Sequence, residues 1–268
     1  MLLLAAAVLA ATPATLSAQL ANAQPGDQLQ LAPGDYGLVQ IVNRRFAPAL
    51  KISAGQARLQ LHIMSSSGVE LTGGQLLASG TSGPAGYASL IRQSDHVSFT
   101  NVNFPPSVRA MVIDRSTNVT VKVGTITGMT IDGINIAASQ NVLIDGVTCQ
   151  DFQPLEGTHP DCVQLWSRKE LPITADVTVQ NVVSRGNMQG VTAFNHPERG
   201  DPGFDRIHFL NNKVEGAYPQ GVALYDARNS VVTGNRTTTI PGSRFKTSVN
   251  VVRCTGCTVA NNVSGPKR

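Results

Sequence analysis

The sequence predicts an all-β solenoid of stacked parallel strands, and three observations carry that prediction. A short apolar/any/apolar phrase recurs: Met111-Val112-Ile113, Ile134-Asn135-Ile136, Val163-Gln164-Leu165, Val191-Thr192-Ala193, Val222-Ala223-Leu224 and Val249-Asn250-Val251. Their first residues lie 23, 29, 28, 31 and 27 positions apart, within the range of coil-like repeats. After each phrase comes a β-branched run, such as Asn141-Val142-Leu143-Ile144 or Val231-Val232-Thr233, often closed by Asn or Gly: Gly146, Asn181, Asn211 with Asn212, Asn235, and Asn261 with Asn262. These residue types accept the left-handed backbone of a tight corner. Finally, 41% hydrophobic and 14% charged residues with 25 Gly, and no long heptads, suit many short strands and exclude a coiled coil or a disordered chain.

On an extended strand, residues two apart point the same way. The inward pairs are therefore Met111/Ile113, Ile134/Ile136, Val163/Leu165, Val191/Ala193, Val222/Leu224 and Val249/Val251. The neighbours point outward, which puts Trp166, Phe194 and Tyr225 in one file on three consecutive coils about 4.8 Å apart. Three stacked aromatics on an outer face make a stripe.

In chain order, residues 1–11 are apolar and end in a small-residue cleavage triplet, Val8-Leu9-Ala10, as in an export segment. A positive n-region is missing, so a helix of the mature fold is the alternative; the stretch is too short to span a bilayer. Over residues 12–24, Leu16, Leu20 and Ala23 share one helical face, with Pro13 near the start, as expected of a helix covering the open end of the first coil. Residues 25–268 form one solenoid domain. Within it, Leu59-Gln60-Leu61-His62-Ile63, Val69-Glu70-Leu71 and Val97-Ser98-Phe99 are strands, Pro105-Pro106 marks a corner, and Gly265-Pro266-Lys267-Arg268 reads as a frayed end.

Repeated strand, Asn-bearing corner and strand resembles the right-handed parallel β-helix of the pectate-lyase-like superfold over roughly residues 25 to 265, a resemblance of architecture more than chemistry. The opening phrase Pro25-Gly26-Asp27, apolar strand, Pro33-Gly34 and Tyr36 is similar to that of the chondroitinase B and alginate lyase group. That group's calcium-binding acids and catalytic Lys and Arg have no identified counterpart here. The resemblance implies carbohydrate and admits calcium, but no motif calls for a metal, and no cofactor is implied.

Four cysteines are present: Cys149 and Cys162 lie one coil apart, and Cys254 and Cys257 have CxxC spacing. A zinc site would need more ligands close by. A Cys254–Cys257 disulfide in an exported protein and buried free thiols both remain open. The formal charge of +4 favours an acidic partner, an acidic polysaccharide rather than nucleic acid, for which no basic tract or fingerprint appears.

Residues just ahead of the rungs align by counting back: His159 and Tyr218 four before, Lys246 three before, and Asp132, Asp161, Gln189 and Gln220 two before the first inward residue. Arg168, His196 and Arg199 follow on inserts. The reading puts catalysis on His159, Asp161, Lys246, Tyr218 and Arg199, and substrate binding on Gln164, Trp166, Arg168, Gln189, Phe194, His196, Gln220 and Tyr225. Elimination on a uronate polymer such as alginate needs a group to neutralise the carboxylate (Arg199, Arg168 or Gln189). It also needs a base for the C5 proton (His159, Lys246 or His196) and an acid for the leaving oxygen (Tyr218 or Tyr225). C5 epimerisation uses the same set. The alternatives are an inverting hydrolase on two of Asp132, Asp161 and Asp226, which lacks the polygalacturonase motifs, and a non-catalytic sugar binder. Each residue also has a plain structural role open to it: the aromatics under inserts, the aspartates capping corners, His159 on a loop carbonyl, and the cations in solvent.

Overall fold

The computed structural model describes residues 8–267. Every strand pairing is parallel, and the strands wind into a right-handed β-helix with three faces. The first face contains the recurring phrases in the strands Arg109–Asp114, Asp132–Ala137, Asp161–Trp166, Gln189–Phe194, Gln220–Tyr225 and Ser248–Val252. Two earlier strands, Asp35–Val42 and Tyr87–Arg92, and the end of the long strand Arg45–Met64 extend it toward the N-terminus. The β-branched runs form the second face. A third is built by the ends of the long strands, such as Gln140–Gln150, and by Val183–Gly186, Lys213–Gly216, Arg236–Thr239 and Val263–Lys267.

The expected inward pairs fill the core. Met111, Ile113, Ile134, Ile136, Val163, Leu165, Val191, Ala193, Val222 and Leu224 are all fully buried, while Val249 and Val251 on the last coil are partly covered. Burying such side chains stabilises the fold by about 1.5–3 kcal/mol each, and no coil holds a complete core alone. The disulfide Cys149–Cys162 crosses this interior and closes the insert between them; Cys254–Cys257 is also bonded.

Corners are set by left-handed residues in vertical files. Gly73, Asn101, Val123, Gly146, Asn181, Asn211, Gly234 and Asn261 turn the chain from second to third face, all with positive φ. Beside them runs an asparagine ladder. The amide N–H of Val182 donates to Asn212 Oδ1, that of Asn212 to Asn235 Oδ1, and that of Asn235 to Asn262 Oδ1, at 3.0 Å each. At the corner between first and second faces a buried serine ladder does the same: the N–H groups of Ser66, Ser94 and Ser116 donate to the Oγ of Ser94, Ser116 and Ser139. These side chains satisfy buried N–H groups that the turning backbone leaves without strand partners.

The N-terminal helix is shorter than expected, Leu16–Asn22, because the chain first makes a turn in which Thr15 and Leu16 N–H both donate to Thr12 carbonyl. Leu16, Leu20 and Ala23 are buried as the spacing requires. Arg44 binds its C-terminal end, donating to the carbonyls of Leu20 (2.7 Å), Ala21 (3.0 Å) and Ala23 (2.8 Å). Of the expected export segment, residues 1–7 lie outside the described residues; Val8–Ala11 forms a strand paired with Gln28–Leu31, and Ala11 is buried. Of the expected frayed end, Arg268 lies outside the described residues, while Gly265, Pro266 and Lys267 belong to the strand Val263–Lys267 on the third face. Among the described residues no helix is long and apolar enough to cross a membrane.

Two substitutions test this account. Asn235→Ala removes the side-chain acceptor of the buried Asn212 N–H and the amide donor to the Phe209 carbonyl, and is expected to cost about 1–3 kcal/mol in urea unfolding. Val123, β-branched and 56% exposed, sits at φ 49° in a file otherwise held by Gly and Asn. Val123→Asn is expected to raise stability by about 1 kcal/mol.

Candidate functional site

Parallel register turns sequence spacing into geometry on the first face. Trp166 pairs with Phe194 across adjacent strands, and the Phe194 and Tyr225 rings lie 4.6 Å apart at 45°. Phe194 is 41% exposed; Trp166 and Tyr225 are half-buried. The Arg168 guanidinium sits 5.0 Å over the Trp166 ring. The stripe is therefore continuous, with a cation stacked at one end.

Beneath it runs a polar network. Trp166 Nε1 donates to Gln164 Oε1, which also accepts from Asn135 Nδ2 at 3.2 Å, while Gln164 Nε2 donates to Asp161 Oδ2 at 3.1 Å. Asp161 Oδ1 accepts from Thr192 Oγ1 at 2.8 Å, and the Asp161 N–H donates to Asp132 Oδ1 at 3.1 Å. Asp132 in turn accepts from Arg109 Nε and Asn135 Nδ2. Asp161 is completely buried; burial first, and the neighbouring Asp132 carboxylate second, push its carboxyl well above the usual range. Placed as a catalytic candidate by sequence, Asp161 lies under the cleft rather than in it, fastening Gln164.

Inserts 167–173 and 195–203 wall a cleft of about 810 Å³ over the stripe. Asp201 ties them together, accepting from the N–H groups of Lys169 and His196 at 3.0 Å each. His159, Gln164, Trp166, Arg168, Gln189, Phe194, His196, Arg199 and Gln220, all predicted from sequence, line it with Lys169 and Asp201. His196 Nδ1 is 2.9 Å from Glu198 Oε1, which orients the ring. The other predicted residues are not part of this lining. Tyr218 donates its hydroxyl to Thr158 carbonyl at 3.3 Å, the Tyr225 hydroxyl accepts from Gln220 Nε2 at 3.0 Å, and Lys246 is exposed outside the cleft lining.

Counting back from the rungs aligns Lys246 with the earlier columns, but the pairing slips between Gln220 and Val222, so Gln220 faces Ser248 while Val222 faces Val249, and Tyr218 lies on the loop ahead of its strand, where strand register does not hold it. Counting ahead of that slip no longer brings residues together. Sequence reading also missed the role of Asp201, which looks like part of an ordinary turn-rich loop. No signal in the sequence marks it.

The lining residues include three formal positive charges, Arg168, Lys169 and Arg199, and one carboxylate, Asp201, with Glu198 at the edge 3.8 Å from Arg199 Nε. A pair of free carboxylates for inverting hydrolysis is not found there: Asp132 and Asp161 are engaged together below, and Asp226 is ion-paired with Arg253. Among the described residues no three His, Cys, Asp or Glu side chains converge as ligands would. The calcium that the lyase resemblance admits thus has no acidic donor set in this cleft.

No family model and no curated protein matches the chain. Its backbone is similar to that of an alginate lyase from Paenibacillus sp., at 15% identity and a TM-score of 0.55, covering 95% of this chain and 98% of that one. It is also similar to the surface protein and adhesin PfbA of Streptococcus pneumoniae (9%, 0.53, 95% and 89%) and to pectate lyase Pel9A (11%, 0.50, 97% and 78%). The chain therefore has the parallel β-helix fold of pectate-lyase-like proteins. At these identities the likeness is one of fold.

The raised Asp161 carboxyl gives a pH test. A carboxyl that holds its proton more tightly in the folded state makes stability fall as pH rises from the ordinary carboxylate range through the raised folded value. Asp161→Asn removes that titration. Its stability relative to the parent is expected to rise with pH across this window in urea unfolding; parallel curves would show that Asp161 does not titrate there.

Proposed function

We propose that this chain is a carbohydrate-active β-helix protein that eliminates across the glycosidic bond of a uronate polymer such as alginate, either secreted or in the periplasm. The observation that carries the reading is a cation-rich cleft built over an aromatic stripe on a rigid sheet face, with no free carboxylate pair. The two disulfides support an oxidising location. Sugar rings stack on Trp166 and Phe194, and Arg199 with Arg168 neutralises the uronate carboxylate, which acidifies the C5 proton. His159 takes that proton, the electron pair forms the C4–C5 double bond, and the C4–O bond breaks. His196, oriented by Glu198, returns a proton to the leaving oxygen. The products are a shortened chain and one with an unsaturated terminal residue. The same groups serve C5 epimerisation when the proton returns from the opposite ring face.

A second reading, binding without turnover, is favoured by the exposed Phe194 ring and by the likeness to an adhesin. Incubation with alginate, pectate and glycosaminoglycans, following ultraviolet absorbance of the unsaturated product, separates the cases. Absorbance growth is the expected result. Reducing ends without absorbance select a hydrolase, and retention on an alginate gel with neither signal selects a binder. His159→Ala and Arg199→Ala are each expected to lower the elimination rate by about 100-fold or more. Lys246→Ala, outside the cleft lining, is expected to leave it nearly unchanged.

A further inference from the structure

The first face does not stop at Trp166. On its N-terminal side a second hollow of about 320 Å³ shares Trp166 and Arg168 with the main cleft and is lined further by Tyr87, Arg92, Arg109 and Leu171. Register explains its composition. Tyr87 pairs with Arg109, and Arg109 with Asp132, in the file that contains Asp161 and Gln189; Arg92 pairs with Asp114 in the file that contains Trp166 and Phe194. The outward file that is aromatic at Phe194 and Trp166 thus becomes cationic at Arg92, and the file at the strand starts brings Arg109 and Tyr87 to the same end of the solenoid.

The cations there are held but not used up. Arg109 lies 5.8 Å over the Tyr87 ring and donates through Nε to Asp132 Oδ2 at 3.3 Å; Arg92 donates through Nε to Asp114 Oδ2 at 2.8 Å. Neither bond uses a terminal guanidinium nitrogen, and the two side chains remain 22% and 34% exposed. With Arg168, the hollow has three guanidinium groups against the carboxylates of Asp114 and Asp132, and Asp114 is also bonded by Arg115. A guanidinium edge with free N–H groups matches a carboxylate in geometry and charge.

Beyond Tyr87 the face is roofed. Gln60 Nε2 donates to the carbonyls of Pro84, Ala85 and Tyr87 at 3.2, 3.2 and 2.7 Å, holding the turn Gly83–Gly86 over the preceding rung. Gln60 and His62 are buried there although they point outward. The open groove therefore runs from the Tyr87 rung to the Gln220 rung, five strand spacings or roughly 24 Å, long enough for several sugar units.

We propose that Arg92, Arg109 and Tyr87 form a second subsite, which binds the carboxylate of a uronate residue remote from the reacting one at the roofed end of the groove. The subsite rests on the uronate reading above and names where the rest of the polymer is held.

The test uses calorimetry with saturated uronate dimers and hexamers on the His159→Ala protein, with Arg92→Gln and Arg92→Lys added to it. Arg92 is chosen because Asp114 keeps Arg115 when it is changed, whereas removing Arg109 strips a carboxylate beside buried Asp161. The hexamer is expected to bind at least about tenfold tighter than the dimer. Arg92→Gln should weaken the hexamer about tenfold and leave the dimer within about twofold, with Arg92→Lys between. Equal dimer and hexamer affinity overturns the subsite, as does hexamer affinity indifferent to Arg92→Gln in a variant with unchanged melting. A neutral cellulose hexamer bound as tightly as the uronate one overturns its carboxylate preference. If neither uronate oligomer binds at all, the uronate reading itself falls, and the subsite with it.

Discussion

In-register parallel stacking is the constraint from which the remainder of this molecule follows. A strand on the first face takes its hydrogen bonds from the coils on either side, so a one-residue slip would send its apolar pair outward and its polar residues into the core. Fully buried Val163 and Leu165 lock Asp161–Trp166 against that slip, and Val191 and Ala193 lock the next strand. Once these are fixed, Trp166 must sit beside Phe194, and Asp161 beside Gln189. The arrangement of the cleft is thus a by-product of how the core is packed.

That is also why the core and stripe were legible in the sequence. The inward pairs and the aromatic file depend only on period-two alternation within a strand and on a coil length near thirty, and both can be counted. The asparagine corners were visible as well, though not the hydrogen bonds linking Asn212, Asn235 and Asn262. The serine ladder was overlooked: Ser66, Ser94, Ser116 and Ser139 sit two residues past the strands ending at Met64, Arg92, Asp114 and Ala137, but serine is common in turns and reads as solvent-facing. Residues 46–104 were less legible because Arg45–Met64 runs through two corners as one long strand, so that the corner residue Gly55 sits inside an unbroken extended run. Outside the strands counting lost its meaning, which is how Lys246 and Tyr218 were placed in a cleft they do not line. Inserts differ in length, and nothing in a loop's composition says where its tip lands.

The polar network under the stripe has a cost that the fold accepts. Two carboxyls share the space between adjacent coils, one of them wholly buried, and every remaining partner is neutral apart from Arg109. A buried ion or acid pair is weak evidence for stability. Its effect here is positional: Asp161 and Asn135 fix both ends of the Gln164 amide, and Gln164 fixes the indole nitrogen of Trp166. The Trp166 ring is thus held in one orientation through Gln164 by the buried Asp161 and Asn135, while the inserts above supply charge.

Trp166 is the chain's single tryptophan. It stands where the two hollows meet, half-buried, with a guanidinium against one side and an amide oxygen on its nitrogen. The whole indole emission of the protein therefore originates at the midpoint of the groove, giving the molecule an intrinsic optical gauge of whether that floor is wet or covered.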